Sequence, residues 1–238
     1  MNEILHNALP AEMARQNSLP GVAPCAPHDW VRVDATYAAQ MAYRVQLLAD
    51  RRAAVLWEPE TALAASQEVL EEVLKLLPGL GFAVLGDQVT CPDGRVVQVD
   101  STAPLWTLGH LVQQDICVMD KRGDEHVLVA AVLCFPANWR LSDKAGQPLI
   151  GIHIPVAEYD DHLARRVQRL FDGVQVGRPL WRFNRLTYAD SDLHQPFRRV
   201  GDLPQHFIRA ERQCVVRMPR SRAVVFSIHT HVVLRAGQ

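Results

Sequence analysis

Hydrophobic positions alternate with a two-residue period most clearly near the C-terminal end of the chain. Residues 213–218 and 223–234 read as two strands joined by the turn Pro219-Arg220-Ser221-Arg222. In the second strand Val225, Ser227, His229, His231 and Val233 fall on one face. Two more apolar runs, 116–119 and 127–135, flank a charged turn at 120–125 and predict an antiparallel hairpin. Residues 181–188 predict a further strand. Short strands are expected at 82–85 and 96–99, around the turns Gly86-Asp87 and Pro92-Asp93-Gly94.

Helical spacing takes over elsewhere. Asp34 is a suitable N-cap for a helix to about Leu48, with Tyr37, Met41, Val45 and Leu48 on one face. A second helix is expected from Pro59 and Glu60, with a stripe of Leu63, Leu70, Leu74 and Leu77 and a stop at Pro78-Gly79. Glu68, Glu71 and Glu72 read as its solvated face. Residues 104–112 look helical. A helix over 159–171 would turn Leu163, Val167, Leu170 and Phe171 inward and Arg165, Arg166 and Arg169 outward. Residues 1–28 show no sustained period and read as an arm. The sum is an α+β chain: an antiparallel sheet with helices on one side, an N-terminal helical extension, and a single domain over 29–238.

Composition narrows the classes of function. The chain has 238 residues, 48% of them hydrophobic, and a formal net charge of -1. That is a globular composition without the basic surplus that non-specific nucleic-acid binding requires. Cys25, Cys91, Cys117, Cys134 and Cys214 are far apart with no CxxC pair, so no zinc ribbon or cysteine-held iron–sulfur cluster is signalled. Buried reduced thiols suit a reducing compartment. No secretory pattern opens the chain and no apolar run approaches a membrane span of about 18 residues. A cytoplasmic protein is expected. There is no P-loop, no GxGxxG and no GxSxG motif.

Two constellations remain. The run from Phe135 to Val156 leaves an apolar strand, crosses a turn-rich loop and enters a second apolar run that holds one histidine, His153, between Ile152 and Ile154. Such a histidine is either a core residue bonded to a carbonyl or a ligand. As a neutral imidazole on a rigid strand it could hold haem iron from one side, with Arg140, Lys144, Arg182 and Arg212 available for the propionates. The second constellation is His229-Thr230-His231, two imidazoles on one face of a strand and about 7 Å apart. They could share a metal ion with a third ligand from His153, His194 or Glu211.

Five segments carry a resemblance to a known family. They are WVRVDATYAAQMAYRVQLL, PLWTLGHLVQQDICVMDK, CFPANWRLSDKAGQPLIGIHIPVAEY, RPLWRFNRL and RAERQCVVRMPRSRAVVFSIHTHV. In order and content they resemble the haem-dependent oxidative N-demethylase subunits, related to the large subunit of dimethylamine monooxygenase. The resemblance implies a PAS-like core holding haem b, with His153, in the family's Ile-His-x-Pro-Val pattern, as axial ligand. Arg182 and Arg212 become the expected propionate or pocket contacts, and Lys144 and His231 join them as cofactor-binding residues. The implied reaction is demethylation of a small secondary amine with O2, releasing formaldehyde. Electrons would come from NADPH through partner subunits bearing FMN and an iron–sulfur cluster. A PAS-like sensing or assembly module without turnover is the alternative.

The chain departs from the family at two places. Arg182-Phe183-Asn184-Arg185 lacks the tryptophan of the usual Arg-x-Asn-Trp, and His229 stands where an arginine is common. An imidazole there is charged only part of the time near neutral pH, so these departures bear on the demethylase reaction.

Overall fold

The structure is a computed structural model that describes residues 3–13, 21–153, 161–197 and 203–235, without the side chains of His153 and of residues 161–164. Expectations for residues 154–156, for a helix start at Tyr159 and for the side chain of Leu163 lie outside the described residues.

The alternating C-terminal segments become the two longest strands, β9 (Phe207–Arg217) and β10 (Val224–Leu234), paired along their whole length. The predicted hairpin is β6 (Asp115–Arg122) and β7 (Glu125–Val132), and Gly123 at φ 63° makes its tight turn. With β8 (Leu180–Tyr188) they form a sheet in the order β8-β9-β10-β6-β7. In chain order these strands therefore lie third, fourth, fifth, first and second. Short strands β1 (Ala23–Pro24) and β2 (Leu56–Trp57) extend the two edges to seven strands, all antiparallel. This open antiparallel sheet with flanking helices is α+β and fits a PAS-like fold. A separate three-stranded sheet holds β3 (Ala83–Leu85), β4 (Gln88–Thr90) and β5 (Val96–Gln98). Its middle strand has too few apolar residues to be seen in the sequence.

Helices cover both faces of the large sheet, not one. On the first face α1 (Tyr37–Asp50), α3 (Leu63–Leu76) and α4 (Pro104–Leu111) pack over Ile116, Val118, Val216 and Val225. A short α2 (Arg52–Val55) links α1 to β2. On the second face the crossover between β7 and β8 supplies α5 (Leu141–Lys144), α6 (Leu149–His153) and α7 (Asp161–Gly173). They close over Cys117, Met119, Val215, Val224 and Ile228. Neighbours in sequence such as Val224 and Val225 thus enter different cores, as the strand period requires. Arg165, Arg166 and Arg169 point outward and Phe171 is buried, as predicted. No helix among the described residues is long and apolar enough to cross a membrane.

One carboxylate departs from the surface reading, and a second is buried nearer the sheet. Glu68 is 1% exposed and accepts from the backbone N–H groups of Arg220 (2.6 Å) and Ser221 (2.7 Å), so it holds the β9–β10 turn. Asp115 is deeper still. Its Oδ1 accepts from Arg44 Nη1 (2.6 Å) and the Cys134 N–H (2.7 Å), and its Oδ2 from the Phe135 N–H (2.9 Å). Arg44, rather than Val45, faces inward from α1 and also donates to the carbonyls of Gln113 and Gln114. The pair ties α1 to the start of β6 and to the exit of β7. Replacing Arg44 with Leu strands a buried carboxylate, so Arg44→Leu is expected to cost about 3–5 kcal/mol. Urea unfolding should show it as a lower midpoint at unchanged slope.

Candidate functional site

The crossover-facing side of the sheet changes from apolar to polar along β8, β9 and β10. Leu180 and Val215 are paired in one row, Arg182, Gln213 and Ile228 in the next, and Asn184, Glu211 and Thr230 in the row after that. Arg182 Nη1 donates to Gln213 Oε1 (2.8 Å), and Gln213 Nε2 donates to Glu211 Oε2 (3.2 Å). Asn184 Nδ2 donates to the same Glu211 oxygen (2.9 Å). Arg209, buried at the far end, donates to the other one (3.3 Å) and to the Phe135 and Leu193 carbonyls. Two guanidinium groups thus face one carboxylate, and among the described residues Arg182 Nε is buried without a hydrogen-bond partner. Burial pushes the Arg182 pKa down, and only the Glu211 charge opposes this.

The crossover helices bring Lys144 to the same side. Its Nζ donates to the Ile152 carbonyl and lies 5.7 Å from the Trp139 ring centroid, and burial lowers its pKa. His153 is not on a strand. Leu149–His153 forms a helix, because Pro148 starts a turn in which the Ile152 N–H donates to the Pro148 carbonyl (2.9 Å). Proline suits the opening of a helix, and the apolar run is too short for its period to tell helix from strand. A further histidine of this side, His126 on β7, is clasped by Gln168 of α7. Gln168 Nε2 donates to His126 Nδ1 (2.8 Å), while the His126 backbone N–H donates to Gln168 Oε1 (3.2 Å).

Arg212 and His231 lie on the opposite side. Arg212 pairs across the strands with Phe183 and His229. Its guanidinium binds Asp29 through the carbonyl (2.7 Å) and the carboxylate (2.8 Å), touches Cys214 Sγ (2.8 Å) and lies over Trp181. Arg182 and Arg212 are therefore separated by the sheet and do not line one pocket.

His229 and His231 share a face, as their spacing required, and meet partners the sequence did not suggest. Asp34, expected to cap α1, instead accepts at Oδ2 from His6 Nε2 (2.7 Å), with His229 Nε2 at 3.0 Å and His231 Nε2 at 3.7 Å. Its Oδ1 accepts from the Thr36 N–H (2.8 Å), the Thr36 hydroxyl (2.7 Å) and Gln113 Nε2 (2.9 Å). Burial alone would raise the Asp34 carboxyl, but the His229 and His6 rings and Gln113 outweigh it and hold the group well below the usual range. Burial lowers His231 to about 2, helped by the neighbouring His229 and His6 rings, and lowers His229 as well. Of the third ligands considered from sequence, Glu211 faces the other side, and His194 Nδ1 bonds the Cys134 carbonyl at 2.8 Å. His6 escaped notice because an arm without periodicity says nothing of where it docks.

Residues 21–234 match the family described as haem-dependent oxidative N-demethylase, alpha subunit-like. The chain belongs to that family. The match runs from just before β1 to the end of β10, so it takes in both sides of the sheet. A haem-dependent oxidative N-demethylase subunit needs apolar walls, cations for propionates and a ligand for iron. The crossover side fits in kind: Leu141, Leu149, Val215 and Ile228 are apolar, and Arg182 has a buried donor to spare. Two surface clefts, 390 Å³ beside Glu58 and Thr102 and 260 Å³ beside His194 and Phe197, include neither Arg182 nor Lys144.

The crossover side carries a pH dependence. His126 has its ring fully enclosed, and burial lowers its pKa from 6.5. As pH falls through about 6.5 the unfolded chain takes up a proton that the folded chain refuses, so stability is lost below that pH. Thermal unfolding should show a falling midpoint between about pH 7 and pH 5, with a shallower slope in His126→Gln.

Proposed function

We propose that this chain is the haem-binding subunit of an oxygenase that removes a methyl group from a small methylated amine, with electrons delivered by flavin and iron–sulfur partner subunits that draw on NADPH. The observation that carries the proposal is the family match over residues 21–234, which spans every strand of the large sheet. Haem b would lie between the crossover helices and the sheet. It supplies, when bound, the activation of O2 that oxidises the methyl group, after which formaldehyde and the demethylated amine separate.

The chain's own residues have definite roles in this proposal. His153, at the end of α6, would hold the iron. Lys144 fixes the last turn of α6 through the Ile152 carbonyl, and so sets where that histidine is presented. Arg182 would hold a propionate. Gln213 holds its Nη1, and Gln213 and Asn184 fix Glu211, which keeps a counter-charge one row away. Leu141, Leu149 and Ile152 exclude water from this side. Arg212 and His231 are occupied on the opposite face and have no part in this pocket.

Reconstitution with haem tests the proposal. A Soret band is expected for the full chain, lost in His153→Ala and weakened in Arg182→Ala, where the half-buried cation that would face a propionate is removed. Formaldehyde release from a methylated amine, with NADPH and the cognate reductase subunits, then tests the reaction. Failure to take up haem under conditions that load a control haem protein refutes the proposal. Haem uptake with no formaldehyde leaves a PAS-like sensing module, the reading favoured by the exposed Arg185 in place of the family's tryptophan.

A further inference from the structure

The cluster around Asp34 is not used by the proposed haem chemistry and lies on the other face of the sheet. We infer that His6, Asp34 and His231 form a binding site for a divalent first-row transition metal, with His229 positioning the carboxylate. Two imidazoles and one carboxylate suit zinc or iron(II), and a three-ligand set leaves a coordination position open. The donors come from three separate parts of the chain: the N-terminal arm, the loop before α1, and β10.

The distances fit an ion. One ligand atom from each of His6, Asp34 and His231 lies within 4.8 Å of the others. Ligand bonds of about 2.0–2.2 Å at tetrahedral angles place neighbouring ligand atoms about 3.3–3.5 Å apart. The observed separations from Asp34 Oδ2, 2.7 Å to His6 Nε2 and 3.7 Å to His231 Nε2, bracket that value. The second of them is too long for a hydrogen bond and wide enough for a cation between the two atoms.

The surroundings prepare these ligands. Asp34 Oδ1 is saturated by Thr36 and Gln113, which leaves Oδ2 as the oxygen to offer. His229 Nδ1 accepts from Gln114 Nε2 at 2.9 Å, so the His229 proton is on Nε2, beside Asp34 Oδ2. Outer contacts of this kind fix ligand orientation in metal sites. Among the described residues His231 Nδ1 is buried without a hydrogen-bond partner, a rare condition for a polar atom in a core. His231 stays unprotonated at neutral pH because burial disfavours its charge, so its lone pair is available. Binding requires His6 to carry its proton on Nδ1 instead of Nε2. The contacts given up are the 3.3 Å bond from the Val232 N–H and the Nε2–H contacts to Asp34 Oδ2 and Thr36 Oγ1, where the metal would take the place of the proton.

A metal here would pin the arm to β10, where the His6 backbone N–H already donates to the Val232 carbonyl at 2.7 Å. The test uses the full-length, haem-free chain, stripped with a chelator and titrated with zinc by calorimetry. One equivalent is expected to bind and to raise the thermal midpoint, since a ligand of the folded state stabilises it. His6→Ala and Asp34→Asn should each weaken binding by about tenfold or more. His6→Ala sits on the arm and leaves the packed core alone, so it decides the matter if Asp34→Asn does not fold. Arg182→Ala and Cys25→Ser should bind zinc as the wild type does. Wild-type protein that takes up no stoichiometric zinc overturns the inference. So does undiminished binding in His6→Ala. Zinc has no Soret band, so neither result bears on whether haem binds the opposite face.

Discussion

The buried pair of Arg44 and Asp115 is the constraint on which the rest of the chain's arrangement depends. Asp115 opens β6 and accepts from the backbone where β7 ends, so one carboxylate sets both the start of the hairpin and the point where the crossover leaves the sheet. Arg44 brings α1 to the same place and satisfies two further carbonyls, which leaves little freedom in how that helix lies. A buried ion pair is weak support for stability in itself, yet removal of either partner leaves a charge with nowhere to go. Its role here is to fix position.

With α1 and the crossover set on opposite sides, the sheet becomes a partition with two kinds of chemistry. One side, under α5, α6 and α7, has apolar walls, Arg182 and a polar row anchored by Glu211. The other gathers three imidazoles about Asp34, together with Arg212 held by Asp29. The same strand serves both. In β10, Ile228 and Thr230 face one way, and His229 and His231 face the other. His229 accordingly meets Asp34 of the pre-helix loop and Gln114, away from Arg182. A substitution at His229 would therefore bear on the Asp34 cluster more directly than on the crossover side.

Local patterning along the chain was enough to find the strands whose apolar residues alternate, the main helices, and the pairing of His229 with His231 on one face. These follow from local periods, which need no knowledge of distant neighbours. It also carried the family, through segments spread over most of the chain. Short elements escaped it: β4 has three residues, and the run holding His153 is helical because Pro148 starts a turn there.

The partners came from long-range packing. That Glu68 is buried under a turn 152 residues away, that Arg182 and Arg212 are divided by the sheet, and that His6 reaches Asp34 are facts of long-range packing. Asp34 shows the difference most plainly. Its type and place before α1 suggest a helix cap, since a carboxylate accepts whichever N–H groups lie close in sequence. In the folded chain it still accepts from Thr36, but the arm and β10 deliver imidazoles to its other oxygen. A local period reports which face a residue takes. What meets it on that face depends on where the rest of the chain is folded.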